Sequence, residues 1–141
     1  MKKLLLKILP IFILANMTFA QKPFDTHSHM IPKSYRDYLV KQDALLDEDF
    51  PIPQWSLEKH IKFMDAAGIQ TSVLTLPAPQ PWFGDSVESA QLIRKIHEEM
   101  AEVKAIHKGR FLFCATLPLP DVDAAIREAI YALDILHADG V

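Results

Sequence analysis

Cysteine is nearly absent from this sequence: Cys114 is the only one in 141 residues, so no intramolecular disulfide can staple the fold even in an oxidising compartment. Its place inside the apolar run Phe111 to Thr116 suits a small buried hydrophobe better than a reactive thiol. A basic excess is also lacking. The formal net charge is -3, which leaves no electrostatic footprint for nucleic acid. No apolar stretch reaches the roughly 20 residues that a spanning helix needs. There is no internal repeat, low-complexity tract or domain linker, and half the residues are apolar with 23% charged, the balance of a soluble globular chain.

The first twenty residues stand apart. Lys2 and Lys3 precede a short apolar run, Ile8 to Ala15, and then Thr18-Phe19-Ala20, with Lys7 and Pro10 as interruptions. A positive start, a brief hydrophobic segment and a small residue at the cut are the layout of a secretory signal peptide. Residues 1–20 are therefore expected to be removed after Ala20, which places the protein in the periplasm or outside the cell with no stable membrane span; the alternative is an uncleaved N-terminal anchor. Residues 21–141 then form one modest unit, either a small domain or a portion of a larger one.

Along that unit, three apolar runs of strand length alternate with three amphipathic helical patterns, each ending near a glycine, as in successive βα units. Phe24 to His29 is the first strand, followed by a long polar, proline-bearing excursion, Ile31 to Gln54. Ser56 is positioned to cap a helix with the stripe Leu57, Ile61 and Met64, stopped by Gly68. Thr71 to Leu76 is apolar and β-branched, as in a strand covered on both faces. After the proline-rich loop PAPQPWFGD, the spacing from Val87 to Ile106 predicts a long helix, with Asp85 at its start and Gly109 after its end. Phe111 to Leu117 is the third strand. Asp121 caps a last helix whose apolar face would be Val122, Ala125, Ile126, Ala129, Ile130, Leu133 and Leu136. The closing HADGV then reads as a glycine stop followed by the first residue of a fourth strand.

Chemistry concentrates in FDTHSHM. On a strand, alternate residues share a face with Cα atoms about 6.5–7 Å apart, so His27 and His29 can converge on one ion and Asp25 would point the same way. Two neutral imidazoles suit zinc or another first-row divalent ion, which also needs a further protein ligand and an open coordination position. Alone, the pair could equally be a surface feature or two hydrogen-bonded strand residues. Its position at the end of a first parallel strand, where βα loops gather active-site groups, favours the metal. His60, His97, His107 and His137 fall in or beside helical stretches and are expected on solvated faces or near helix C-termini. Trp82 and Phe83, in the loop after the second strand, are candidate walls for a flat substrate, with simple loop packing as the alternative. Asp47-Glu48-Asp49 reads as a solvated charge run.

The run FDTHSHMIPKSY resembles the opening of the amidohydrolase superfamily, in the amidohydrolase-related group that includes aminocarboxymuconate-semialdehyde decarboxylase. The phrases WSLEKHIKFMDAAGIQTSVLTLPAP, WFGD and GRFLFCATLPLPDVDAAIREAIYALDILHADGV are closer still to the 6-methylsalicylate decarboxylase type. This resemblance implies a (β/α)8 barrel of TIM type, of which the chain carries the first three βα units and the start of the fourth strand. It also implies a divalent metal, commonly zinc, held first by His27 and His29, with Asp25 behind them. A further histidine and an aspartate complete the ligand set, and another histidine assists catalysis, all from later strands. The implied reaction is non-oxidative loss of carbon dioxide from a small aromatic or unsaturated carboxylic acid. Hydrolysis of an amide, ester or lactone is the alternative, because both branches use the same first ligands. The approach to Trp55, DEDFPIPQ, is acidic where some acid-processing relatives carry an arginine.

A non-catalytic truncated product, or a half-barrel completed by another chain, is the remaining alternative; the isolated 141-residue chain is expected to be inactive, with a homo-oligomer as its expected assembly. Open strand edges and uncovered apolar faces predict that residues 21–141 expressed alone aggregate or oligomerise. Sedimentation checks this, and a sharp cooperative melt of a monomer contradicts it.

Overall fold

A computed structural model describes residues 22–141; the expected signal segment lies outside the described residues. Three parallel strands, β1 (Phe24–His29), β4 (Thr71–Thr75) and β5 (Phe111–Phe113), form one sheet in the order β1-β4-β5. The connections carry helices α2 (Leu57–Ala67) and α3 (Ser86–Ile106), and α4 (Val122–Ile130) follows β5. Because the strands are parallel, their C-terminal ends and the loops after them lie at one end of the sheet. Among the described residues no helix is long and apolar enough to cross a membrane.

The local signals act where the sequence puts them. Ser56 Oγ accepts from the Lys59 N–H, Asp85 from the N–H groups of Val87 and Glu88, and Asp121 from that of Ala124. Each satisfies helix-terminal donors that would otherwise have no partner. Gly68, with φ 72°, ends α2 in the left-handed conformation that a Cβ disfavours. The core lies between the sheet and its helices, where Leu74, Phe111 and Phe113 meet Met64, Ile96 and Met100. The reverse face of β4 and β5, with Val73 and Leu112, is only partly covered, rather than buried on both sides as the apolar run suggested.

The excursion after β1 is more structured than its prolines imply. Helix α1 (Lys33–Lys41) starts directly after Pro32 and buries Tyr35, Tyr38 and Leu39. Its i, i+3, i+4 pattern was present in the sequence, but Pro32 reads as a breaker although proline is tolerated at a helix start. A two-stranded antiparallel hairpin follows, β2 (Leu46–Asp47) and β3 (Phe50–Pro51). Its turn residues Glu48 and Asp49 have φ 47° and 68°, a two-residue turn with both central φ positive, usually built from Asn and Gly.

Two further expectations are corrected. Helix α4 buries Ala124, Ala125 and Glu128 while Val122, Ile126 and Ile130 are exposed. Glu128 lies between the Arg94 Nε, at 2.8 Å, and the His97 Nδ1, also at 2.8 Å. His97 is fully buried, not on a solvated face. Its Nε2 accepts from the Thr116 N–H at 2.9 Å, so the Nδ1 carries the proton and donates to Glu128.

The chain's last helical turn is the second correction. After α4 the helix widens to π geometry over Tyr131–Ile135, and His137, at φ 55°, rather than Gly140, takes the left-handed turn. Gly140 instead pairs in parallel with Cys114, beside β5. A Cβ there would stand 3.2 Å from the Cys114 Sγ, so close approach is what glycine permits at this position.

Burial raises the Glu128 carboxyl pKa, but hydrogen bonds from His97 and Arg94 outweigh it and hold the group below its ordinary value of 4.5. A carboxylate lowered in the folded state contributes stability that is present above the unfolded pKa and lost as pH falls through the folded one. Glu128→Gln is therefore expected to cost about 2 kcal/mol at neutral pH, because Arg94 is partly solvated and screened. The deficit should shrink below pH 4.5, as read by urea denaturation across that range; an unchanged deficit contradicts the assignment.

Candidate metal centre and adjoining cleft

β1 sets the geometry. It pairs Phe24 with Thr71 and Asp25 with Ser72, then Ser28 with Leu74 and His29 with Thr75, so the register shifts between Asp25 and Ser28. One extra residue is taken up there, as in a β-bulge. Paired residues in a parallel ladder point to the same side, so Asp25 and Ser28 join Ser72 and Leu74 on the helix-covered face. Two hydrogen bonds agree: the Ser72 Oγ donates to the Asp25 Oδ2 at 3.2 Å, and the Ser28 Oγ meets the His60 Nε2 at 3.1 Å. The expectation that Asp25 points with the two histidines is thus corrected. Its contact with them runs through the backbone, the His27 N–H donating to Asp25 Oδ1 at 3.2 Å.

His27 and His29 do come together. Their rings stand edge to face with centroids 4.9 Å apart, and their Nε2 atoms are 2.9 Å apart. Two imidazoles on one tetrahedral zinc, with bonds of about 2.0–2.1 Å, place their nitrogens about 3.3 Å apart. The pair therefore fits a shared divalent ion with little adjustment, and a ring-to-ring hydrogen bond accounts for the present contact. Burial and the neighbouring His27 lower the His29 pKa, keeping a lone pair free for a cation. Among the described residues no group of three His, Cys, Asp or Glu side chains comes together as a metal cluster.

His29 also forms part of the wall of a cleft of about 360 Å³. Phe50, Ile52 and Trp55 from the hairpin segment and Pro77 and Ala78 from the loop after β4 supply flat apolar surface, with Asp47 and Glu48 at the lip and no Lys or Arg in the lining. Arg36 braces one wall through the Ile52 carbonyl, at 3.1 Å, and the Pro53 carbonyl, at 3.3 Å. The Tyr35 hydroxyl braces the other by donating to the Pro79 carbonyl at 2.6 Å. Trp82 and Phe83 are not in this lining: Phe83 packs edge-on against Tyr38, and Trp82 is 38% exposed.

No family model matches the chain. Among curated proteins it is 38% identical to decarboxylase yanB of Aspergillus niger over 126 residues, covering 83% of this chain and 33% of that protein. It is 32% identical to 6-methylsalicylic acid decarboxylase acuB of Aspergillus aculeatus over 119 residues, covering 83% and 36%. A solved amidohydrolase II superposes with a TM-score of 0.81 at 28% identity, over 86% of this chain and 39% of that one. Over this part of their length, the chain is similar to decarboxylases and to a solved amidohydrolase.

Its homologues are aromatic-acid decarboxylases, and the chain spans about a third of the length of the curated relatives it matches. A dihydroxybenzoic acid decarboxylase from Polaromonas, solved with bound manganese, shares the fold with a TM-score of 0.67 at 23% identity, over 86% of this chain and 37% of that one. Related decarboxylases thus carry a divalent metal, and in that structure it is manganese.

Trp55 and His60 are the site residues that motif reasoning passed over. His60 looked like an ordinary helical histidine, yet it reaches β1 through Ser28 and the cleft through Trp55. The only sequence signal was the five-residue spacing of Trp55 and His60 around a Ser56 cap. Asp25→Ala should expose the strength of the strand irregularity. It leaves the fully buried Ser72 hydroxyl without that partner, so a loss of about 1–3 kcal/mol in denaturant unfolding is expected, and a change within error contradicts the role given to Asp25.

Proposed function

We propose that this protein is a metal-dependent, non-oxidative decarboxylase of a small aromatic carboxylic acid. In this reading the described residues are the first three βα units of a (β/α)8 barrel and the start of its fourth strand. The observation that carries it is the convergence of the His27 and His29 Nε2 atoms, 2.9 Å apart, with His29 in the wall of an apolar cleft at the C-terminal ends of the strands. The parallel Cys114–Gly140 bridge supports a fourth strand beside β5.

His27 and His29 would hold the metal. When bound, it supplies Lewis acidity that orients an acid group and a neighbouring oxygen. Two imidazoles suit zinc; the manganese of a relative fits the same role. Phe50, Ile52 and Pro77 exclude water from a flat ring, and the acidic lip of Asp47 and Glu48 leaves the metal end as the place for the one carboxylate. The reaction balances without a redox partner: the bond from ring carbon to carboxylate breaks, its electron pair stays on the ring carbon, that carbon takes a proton, and carbon dioxide leaves. The remaining ligands and the proton donor would come from the later strands that the longer relatives possess. The N-terminal pattern Lys2-Lys3, Ile8 to Ala15 and Ala20 supports export of the protein.

Assayed as the complete barrel, the protein is expected to release carbon dioxide from 6-methylsalicylate, the acid named for one relative. Chelation should abolish the release and a divalent ion restore it. Metal-dependent ester or lactone hydrolysis without carbon dioxide release would contradict the assignment.

A further inference from the structure

Trp55 is tied into the protein by its only polar atom. The indole N–H, which can only donate, lies 3.2 Å from the His60 Nδ1. That nitrogen therefore carries no proton, and a neutral His60 ring must hold its proton on Nε2, donating to the Ser28 Oγ at 3.1 Å. Burial lowers the His60 pKa against the opposing pull of Asp25, in keeping with a neutral ring. The His60 ring is further fixed edge-on to Phe111, with centroids 5.3 Å apart.

Two consequences follow for the cleft. With its N–H engaged, the indole has no polar group left to offer and presents ring surface alone. Trp55 also borders a second cleft, lined by Lys33, Arg36 and Ser56, so it is a partition with open space on both sides. Without an anchor it could turn away from His29. His60 is that anchor, and it fixes Trp55 to Ser28, the residue between the two histidines.

We propose that Trp55 is the residue that recognises the aromatic ring of the substrate and that His60 is the positioning residue that holds it in register with His27 and His29. The ring-recognition half rests on the function proposed above; the anchoring half does not.

The test separates the two bonds of His60. His60→Asn can keep an acceptor for the indole but falls short of Ser28, whereas His60→Gln reaches towards Ser28 and leaves the indole unpaired. Both are made in the complete barrel labelled with 5-fluorotryptophan, and the fluorine resonance of Trp55 is the one missing from Trp55→Phe. His60→Asn should keep that resonance near its native position. His60→Gln should move it towards the solvent-exposed value and weaken calorimetric binding of 6-methylsalicylate by about tenfold, while binding of formate, which has no ring, is unchanged. Equal resonances in the two variants overturn the anchoring. An unmoved Trp55 resonance while 6-methylsalicylate binds overturns ring recognition. Failure of the native protein to bind any aromatic acid sinks the proposed function and ring recognition together, and the contrast between the two variants still decides the anchoring.

Discussion

The site depends on the parallel pairing of β1 with β4 and on the irregularity within it. A regular strand would send Asp25, His27 and His29 to one side. The register shift between Asp25 and Ser28 divides them: the carboxylate goes to the helix-covered face, and the imidazoles go to the open face. Asp25 then accepts from both the His27 backbone and the buried Ser72 hydroxyl, so the residue beside the two imidazoles shapes their strand instead of pointing with them. The same shift brings Ser28 to His60, and through it Trp55 to the cleft.

That arrangement also explains why the segment after β1 must be ordered. His27 and His29 lie at the sheet's edge strand, so the cleft needs a second wall. Helix α1, the β2–β3 hairpin and the 77–79 loop build it, joined by Arg36 and Tyr35. Polar side chains here do not add a large apolar core; they tie the Ile52–Pro53 stretch and the 77–79 loop to helix α1.

Much of the fold was legible because its signals are local. Caps at Ser56, Asp85 and Asp121, and the strand starts at Phe24, Thr71 and Phe111, each depend on a few neighbouring residues. The candidate ligands were legible for the same reason, since His-x-His on a strand needs only period two. What was missed depends on distant partners. The burial of His97 goes with its contact to Glu128, 31 positions away. Which tryptophan lines the cleft was equally hidden: Trp55 and Trp82 both sit in proline-rich loops, and only the tertiary fold decides which loop covers His29. The extra residue in β1 is a backbone feature that alternation cannot reveal.

The central claim is that His27 and His29 share one divalent ion. X-ray absorption at the metal edge of the complete protein, compared with a His27→Ala, His29→Ala double variant, tests it most directly. Imidazole scattering at about 2.0–2.1 Å from a bound zinc, lost with the metal in the variant, is the expected result. A variant that retains the same metal content and the same imidazole shell would contradict the account.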